Sequence, residues 1–306
     1  MRLRAYFILA VMPLFFVSNL IFGRPAVESV PPWTLATLRW TISCAVVAPF
    51  VLPLVRRHLS TIMEQWRIIL LLGFLGMWVC GGLVYWSLLY TTATNGTLIY
   101  TAAPVLVVLA DALLSRRPLP KTQAIGVLLG LLGVFTVVLK GDPMALLHLR
   151  FNIGDIGFIA STIGWATYSL LLRQTTMDRL PTAALFFVIA LCGAALLLPF
   201  MVSELALGAP FPTTTRAWLC IAGIVVFASI LSFSSYQYGV KYVGPAVTSA
   251  FLYLLPCYGV ALAAIFLGEE LHVYHAVGLA LVMAGILLVS SASLRDLIVA
   301  HFKTGA

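Results

Sequence analysis

The chain has 306 residues, 62% of them hydrophobic and 9% charged, with a mean hydropathy of +1.06 and a formal net charge of +8. Soluble domains run to about 45–50% apolar and about 25% charged residues, so one or two aqueous cores could not bury this composition, and a bilayer is its natural solvent. The positive excess does not point to nucleic acid, because the basic residues lie in short clusters between apolar runs rather than on one polar face.

A membrane-crossing helix needs about 20 mostly apolar residues. Reading apolar runs between charge and turn signals predicts ten spans. The first covers 4–23 and carries Ser18 and Asn19. Arg2 and Arg4 precede it as in a signal peptide, but it ends "SNLIFGRP" with no small-residue cleavage site, so it is read as a retained helix. Span 2, 34–55, holds Arg39 about one turn inside its end. Arg39 could neutralise a substrate carboxylate, but snorkelling to the interface is the preferred reading. Span 3, 66–90, carries Trp78 mid-span with Tyr85, Trp86 and Ser87. Trp33, Trp40, Trp66 and Trp218 lie near span ends and read as interface belts.

Span 4, 94–115, contains Thr97, Tyr100, Thr101 and a mid-span Pro104; Asp111 lies near its end and is expected to pair with Arg116 or Arg117. Span 5, 121–140, is aliphatic with Gly126, Gly130 and Gly133 on one face, a packing feature. After the connector "GDPMALLHLRFN" comes span 6, 153–173, with Trp165, Thr167 and Tyr168. Span 7 is 181–203. Span 8, 215–239, is rich in serine around Tyr236, Gln237 and Tyr238. Span 9, 244–267, holds Ser249, Tyr253 and Pro256, and span 10, 273–292, carries Gly278 and Gly285. The five cysteines lie within apolar runs and read as small buried hydrophobes, and no histidine pattern resembles a metal site. No cofactor is expected.

The loops set the orientation. With the N-terminus in the cytoplasm, the inner side holds Arg2, Arg4, Arg56, Arg57, Arg67, Arg116, Arg117, Lys121, Arg173, Arg179, Lys241, Arg295 and Lys303. The outer side holds only Arg24, Lys140, Arg150 and Arg216. Both termini are therefore expected in the cytoplasm, with residues 293–306 forming a cytoplasmic tail.

The two halves overlay at an offset of 152, where Tyr90, Pro104, Gly126 and Gly133 meet Tyr242, Pro256, Gly278 and Gly285. Residues 1–141 and 153–292 thus read as two five-helix repeats. Five is odd, so the second enters the membrane from the opposite side, an inverted repeat typical of secondary transporters. The overlay also bears on Glu269 and Glu270, the only adjacent acids in the chain, whose counterparts are Arg117 and Pro118. The simplest reading is that this loop carries the charge its side of the membrane requires, rather than a working carboxylate pair.

Proline removes a helix hydrogen bond, and at membrane depth the freed carbonyl needs a neighbour or a cavity. Pro104 and Pro256, at equivalent places, are therefore candidate hinges. The polar and aromatic residues of spans 1, 3, 4, 6, 8 and 9 are expected to line an aromatic, mostly neutral pocket. The candidate substrate-binding residues are Asn19, Trp78, Tyr85, Tyr100, Thr101, Trp165, Tyr168, Tyr236 and Tyr253. Serine, threonine and tryptophan also pack helices with no substrate involved.

From about residue 5 to 291 the sequence resembles EamA-type members of the drug/metabolite transporter superfamily. The likeness is carried by "YQYGVKYVGPAVTSAFLYLLPCYGVALAAIFLGEELHVYHAVGLALVMAGILL", by "TLRWTISCAVVAPF" with Arg39 at the span-2 arginine position, and by Pro104. "SRRPLP" departs from the pattern where many members carry a "GE" loop. The resemblance implies a multi-pass protein of the bacterial inner membrane that exports amino acids, other metabolites or toxic compounds by alternating access. The implied partners are a small-molecule substrate and the lipid bilayer, with no nucleic acid; a homo-oligomer is left open. The alternatives are a nucleotide-sugar or phosphorylated-metabolite antiporter, which would want at least two basic residues facing the pocket, and a polytopic enzyme or scaffold. An enzyme would want a His/Asp/Glu/Cys constellation on converging helices, and none is visible.

Overall fold

The computed structural model describes residues 2–116, 118–148, 151–174, 179–267 and 270–304; Arg117, Arg150 and Glu269 lie outside them. Among the described residues there are helices and turns but no strand. In a bilayer an open chain must satisfy its backbone within each crossing segment, which leaves the helix as the element for such runs. Ten helices are long and apolar enough to cross: Leu3–Val27, Pro32–Arg57, Trp66–Ser87, Asn95–Leu114, Lys121–Val138, Ile153–Arg173, Thr182–Ala206, Thr215–Val243, Pro245–Leu262 and Val273–Ser291. They are spans 1 to 10 below. Each lies over its expected range. The final helix, Val273–Thr304, runs on beyond span 10 into the segment expected as a tail.

Local chemistry sets several boundaries. Thr92 and Thr214 each accept a hydrogen bond from the backbone three residues on, Asn95 N at 3.1 Å and Ala217 N at 3.2 Å, and so cap spans 4 and 8. Gly244 takes φ +88°, a left-handed conformation that costs glycine no Cβ clash, and so turns span 8 into span 9.

The two proline spans are broken rather than merely kinked. Span 4 is a helix Ala93–Tyr100 followed by a second, Ala103–Leu114, with Pro104 in its first turn. Span 9 is Pro245–Ala250, a 3-10 turn Phe251–Tyr253 and then Leu254–Leu267. A neighbour meets the break in span 4: Thr162 Oγ1 of span 6 lies 3.4 Å from the Ile99 carbonyl. Spans 3 and 8 share another irregularity, π-helical segments at Phe74–Gly82 and Ile224–Leu231. Such turns widen the helix and free carbonyls for other donors.

The packing follows the repeat. Spans 5 and 10 pair with each other, as do spans 2 and 7 and spans 4 and 9. Span 1 packs on spans 8 and 9, and span 6, its repeat counterpart, packs on spans 3 and 4. Spans 1, 3, 4, 6, 8 and 9 therefore lie between the 5–10 and 2–7 pairs. The glycine faces of spans 5 and 10 meet within the protomer: a Cβ on Gly133 would lie 2.6 Å from the Gly278 carbonyl oxygen. Large apolar side chains such as Leu3, Phe7, Phe50 and Leu113 are exposed on the outside, as a lipid-facing surface requires.

Candidate functional site

Span 6 places Trp165, Tyr168 and Ser169 on one face by their three- and four-residue spacing. Span 8 does the same with Ser229, Phe233, Tyr236 and Gln237. The two faces meet at Trp165, which is 2% exposed. Its ring centroid lies 4.7 Å from Tyr236, 5.5 Å from Tyr168, 5.5 Å from Phe233, 5.7 Å from Phe16 and 6.5 Å from Tyr100. Edge-to-face contacts with Phe16 and Phe233 suit the ring quadrupoles. The phenols find partners: Tyr236 Oη and Ser169 Oγ are 2.5 Å apart, and Gln237 Nε2 donates to Tyr168 Oη at 2.9 Å. One buried polar atom of this cluster, Gln237 Oε1, has no hydrogen-bond partner. Such groups are uncommon in a packed interior and mark where a ligand could be recognised.

Beside this cluster lies Arg39, only 4% exposed. Its snorkelling is overturned: the guanidinium points inward and is held by neutral groups. Nε donates to Ser229 Oγ at 2.6 Å, Nη1 to Tyr85 Oη at 3.0 Å and Nη2 to the Ala228 carbonyl at 2.5 Å. Ser229 and Ala228 belong to the π-helical segment of span 8, which is how that carbonyl comes to serve a side chain. Tyr85 in turn donates to Asn19 Oδ1 at 2.7 Å. The guanidinium carbon lies 4.6 Å from the Trp40 ring and 5.8 Å from the Phe233 ring. The only buried charged side chains among the described residues are Arg39 and Asp155. Asp155, near the start of span 6, is tied to Thr91 Oγ1 at 2.5 Å and Asn152 N at 2.8 Å, away from Arg39.

Of the residues expected at a pocket, the structure brings together Asn19, Tyr85, Tyr100, Trp165, Tyr168 and Tyr236. Two lie elsewhere. Trp78 stacks with Phe74 and packs against Trp33 and Phe200, all with ring centroids 5.2 Å from its own, in a separate cluster of spans 2, 3 and 7. Tyr253 is buried against Gly130 of span 5. Thr101 turns its hydroxyl back to the Leu98 carbonyl at 2.6 Å. Asp111 pairs with Arg173 across spans 4 and 6 at 2.8 Å, rather than with Arg116, and Arg117 lies outside the described residues. No cluster of His, Cys, Asp or Glu able to hold a metal occurs among the described residues.

A family model described as the EamA-like transporter family matches this chain twice, over residues 3–139 and over residues 152–291. The chain belongs to the EamA-like transporter family. Its relatives include the "Uncharacterized transporter YetK" of Bacillus subtilis, 25% identical over 93% of this chain and 86% of that one. The "Uncharacterized inner membrane transporter YedA" of Escherichia coli K12 is 24% identical over 92% and 91%. A "Probable terminal-alkyne amino-acid exporter" of Streptantibioticus cattleyicolor is 26% identical over 74% and 73%. A solved crystal structure superposes with a TM-score of 0.75 at 21% identity, covering 94% of this chain and 96% of that one, a likeness of fold.

Within this EamA-like transporter, sequence reading missed Trp40, Phe233, Ser169 and the inward course of Arg39. Trp40 was assigned to an interface belt from its place near a span end, yet it is fully buried against Phe233 at 4.8 Å. A usable signal was present in span 8. Ser229, Phe233, Tyr236 and Gln237 form a polar–aromatic stripe of helical spacing, which a lipid-facing side would not carry.

Proposed function

We propose that this EamA-like transporter exports small amphipathic or aromatic metabolites, amino acids or related compounds, by alternating access across a bacterial inner membrane. The observation that carries the reading is the buried aromatic cluster around Trp165, built from spans 1, 4, 6 and 8, with the unpaired Gln237 Oε1 inside it. Such a surface suits an uncharged or singly charged organic solute. The broken spans 4 and 9 and the π-helical segments of spans 3 and 8 give each repeat a matched pair of deformable elements, which an exchange of repeat conformations requires. The exporter and inner-membrane names of two relatives support direction and membrane, and the distribution of basic loop residues supports cytoplasmic termini.

A nucleotide-sugar or phosphorylated-metabolite antiporter would need several cations facing the interior, and Arg39 is the only buried one among the described residues. The test is a ligand screen on purified protein, scored by thermal stabilisation, with amino acids, nucleobases and aromatic amines as probes. A ligand of the folded state raises apparent stability. Stabilisation by an aromatic metabolite that Trp165→Ala abolishes is the expected result; stabilisation by nucleotide sugars alone would overturn the reading.

A further inference from the structure

The interior holds a positive charge that no carboxylate of the described residues answers. The Arg39 guanidinium carries five N–H donors, and three of the five are committed, all to neutral acceptors. Among the described residues no Asp or Glu oxygen lies within 4 Å of it, the one ion pair being Arg173–Asp111. A charge taken out of water is costly and is kept where it pairs or acts. The three neutral acceptors fix the plane of the guanidinium while leaving its charge intact, with two donors still to place. On one side it rests on Trp40; on another it faces Phe233, which also packs edge-on with Trp165 at 5.5 Å. Cation and aromatic cluster thus share one ring as their common wall.

We infer that Arg39 is the specificity-determining residue of a substrate site at this cluster: it receives the carboxylate of a singly charged substrate whose apolar or aromatic part lies against Phe233 and Trp165. The inference rests on the reading of the Trp165 cluster as the transport chamber. A guanidinium meets a carboxylate through two parallel N–H bonds, a geometry that ammonium or amide groups cannot give. One cation selects a monoanion or a zwitterion. A phosphate dianion would need a second cation, and the other buried charged side chain among the described residues, Asp155, is acidic. When no substrate is bound, the Tyr85–Asn19 relay and the span-8 π-helical carbonyl keep the guanidinium in place, so binding need not order it first.

The experiment uses purified full-length protein and four matched probes: L-phenylalanine, phenylpropionate, phenethylamine and phenylalanine amide. Apparent affinity is read from thermal stabilisation for the wild type, Arg39→Lys and Arg39→Gln. The wild type is expected to bind the two carboxylates at least about tenfold more tightly than the two probes lacking one. Arg39→Gln should erase that preference, and Arg39→Lys should keep part of it through its charge. A merely structural arginine would instead lower the melting temperature of ligand-free Arg39→Gln and leave the preference ratio unchanged, which overturns the inference. Should Arg39→Gln fail to insert, the wild-type comparison decides. Equal affinity for phenylalanine and its amide overturns the role of Arg39 while leaving the aromatic chamber standing. Absence of binding by all four probes, with efflux unaffected in Trp165→Ala, overturns both.

Discussion

Gly126 and Gly285 touch backbone to backbone: a Cβ on Gly126 would come within 2.7 Å of the Gly285 carbonyl oxygen, and one on Gly285 within 2.5 Å of the Gly126 carbonyl oxygen. The repeat overlay makes Gly278 the counterpart of Gly126 and Gly285 the counterpart of Gly133. The second contact, Gly133 with Gly278, is therefore the image of the first with the halves exchanged. A two-fold relation between halves produces such a crossed pair, and the seam between spans 5 and 10 straddles that relation.

The atoms that meet at this seam are main chain, so they cannot swing aside as a flexible side chain would. Gly126→Ala or Gly133→Ala is expected to cost about 1–3 kcal/mol, the range for overpacking a close contact. Gly259→Ala is the control, since nothing lies within 4 Å of its added methyl, and alanine in a helix is favoured by about 0.5–1 kcal/mol over glycine. The comparison is apparent melting temperature in detergent, where the seam variants should fall and Gly259→Ala should hold or rise.

Glu204, at the end of span 7, caps the start of span 2. Its Oε2 accepts from Thr34 N at 2.7 Å and from Thr34 Oγ1 at 2.8 Å, and its Oε1 from Trp33 N at 3.4 Å. Span 2 has no capping side chain of its own at Pro31, so the carboxylate supplies both a hydrogen-bond acceptor and a negative charge at the positive end of the helix. Glu204→Ala is expected to lose about 0.5–2 kcal/mol of stability, with Glu204→Gln keeping part of it. Thermal unfolding of the two variants checks the order.

These cases show where sequence reading reached and where it stopped. Span positions were legible because apolar runs bounded by charges are a long, redundant signal. The Pro104/Pro256 breaks and the glycine faces were legible because their residue types carry a backbone consequence. The partner of a glycine face was not, because the pattern says that a helix approaches closely but not which one. Glu204 and Thr34 are 170 residues apart, and Arg39 and Ser229 are 190 apart; such pairings exist only once ten helices have packed. Arg39 and Trp40 were assigned to the interface by distance from a span end, a rule that fails when the helix end is itself enclosed by spans 3, 7 and 8.

Trp78 and Trp165 were both expected to line the pocket, and their surroundings now separate them. Trp78 is half-buried in the cluster with Trp33, Phe74 and Phe200, whereas Trp165 centres the cluster next to Arg39. Trp78→Ala is expected to cost about 1–3 kcal/mol of stability, below the about 3–5 kcal/mol of a fully buried tryptophan, with substrate affinity retained. Trp165→Ala should lower both. Melting temperature and substrate dissociation constant, measured on the same preparations, distinguish the two; loss of affinity in Trp78→Ala alone would move the chamber to spans 2, 3 and 7.

The carboxylates bear on coupling. A proton relay through a membrane protein uses ionisable groups at depth. Here Asp111 is engaged by Arg173 near one end of the bundle, with the arginine side chain 49% and the aspartate 22% exposed. Asp155 and Glu204 serve helix starts, and Glu270 is exposed in the span 9–10 loop. None stands mid-span among the described residues, and the buried charged side chain beside the aromatic cluster is an arginine, not a carboxylate. Efflux from preloaded proteoliposomes is therefore expected to keep at least about half its initial rate when a protonophore collapses the pH gradient, and likewise in the double variant Glu269→Gln/Glu270→Gln. Abolition of that efflux by the protonophore would place proton coupling in this protein. Near-complete loss of transport in a correctly inserted double variant would make that loop a working site rather than a marker of which way the second repeat faces.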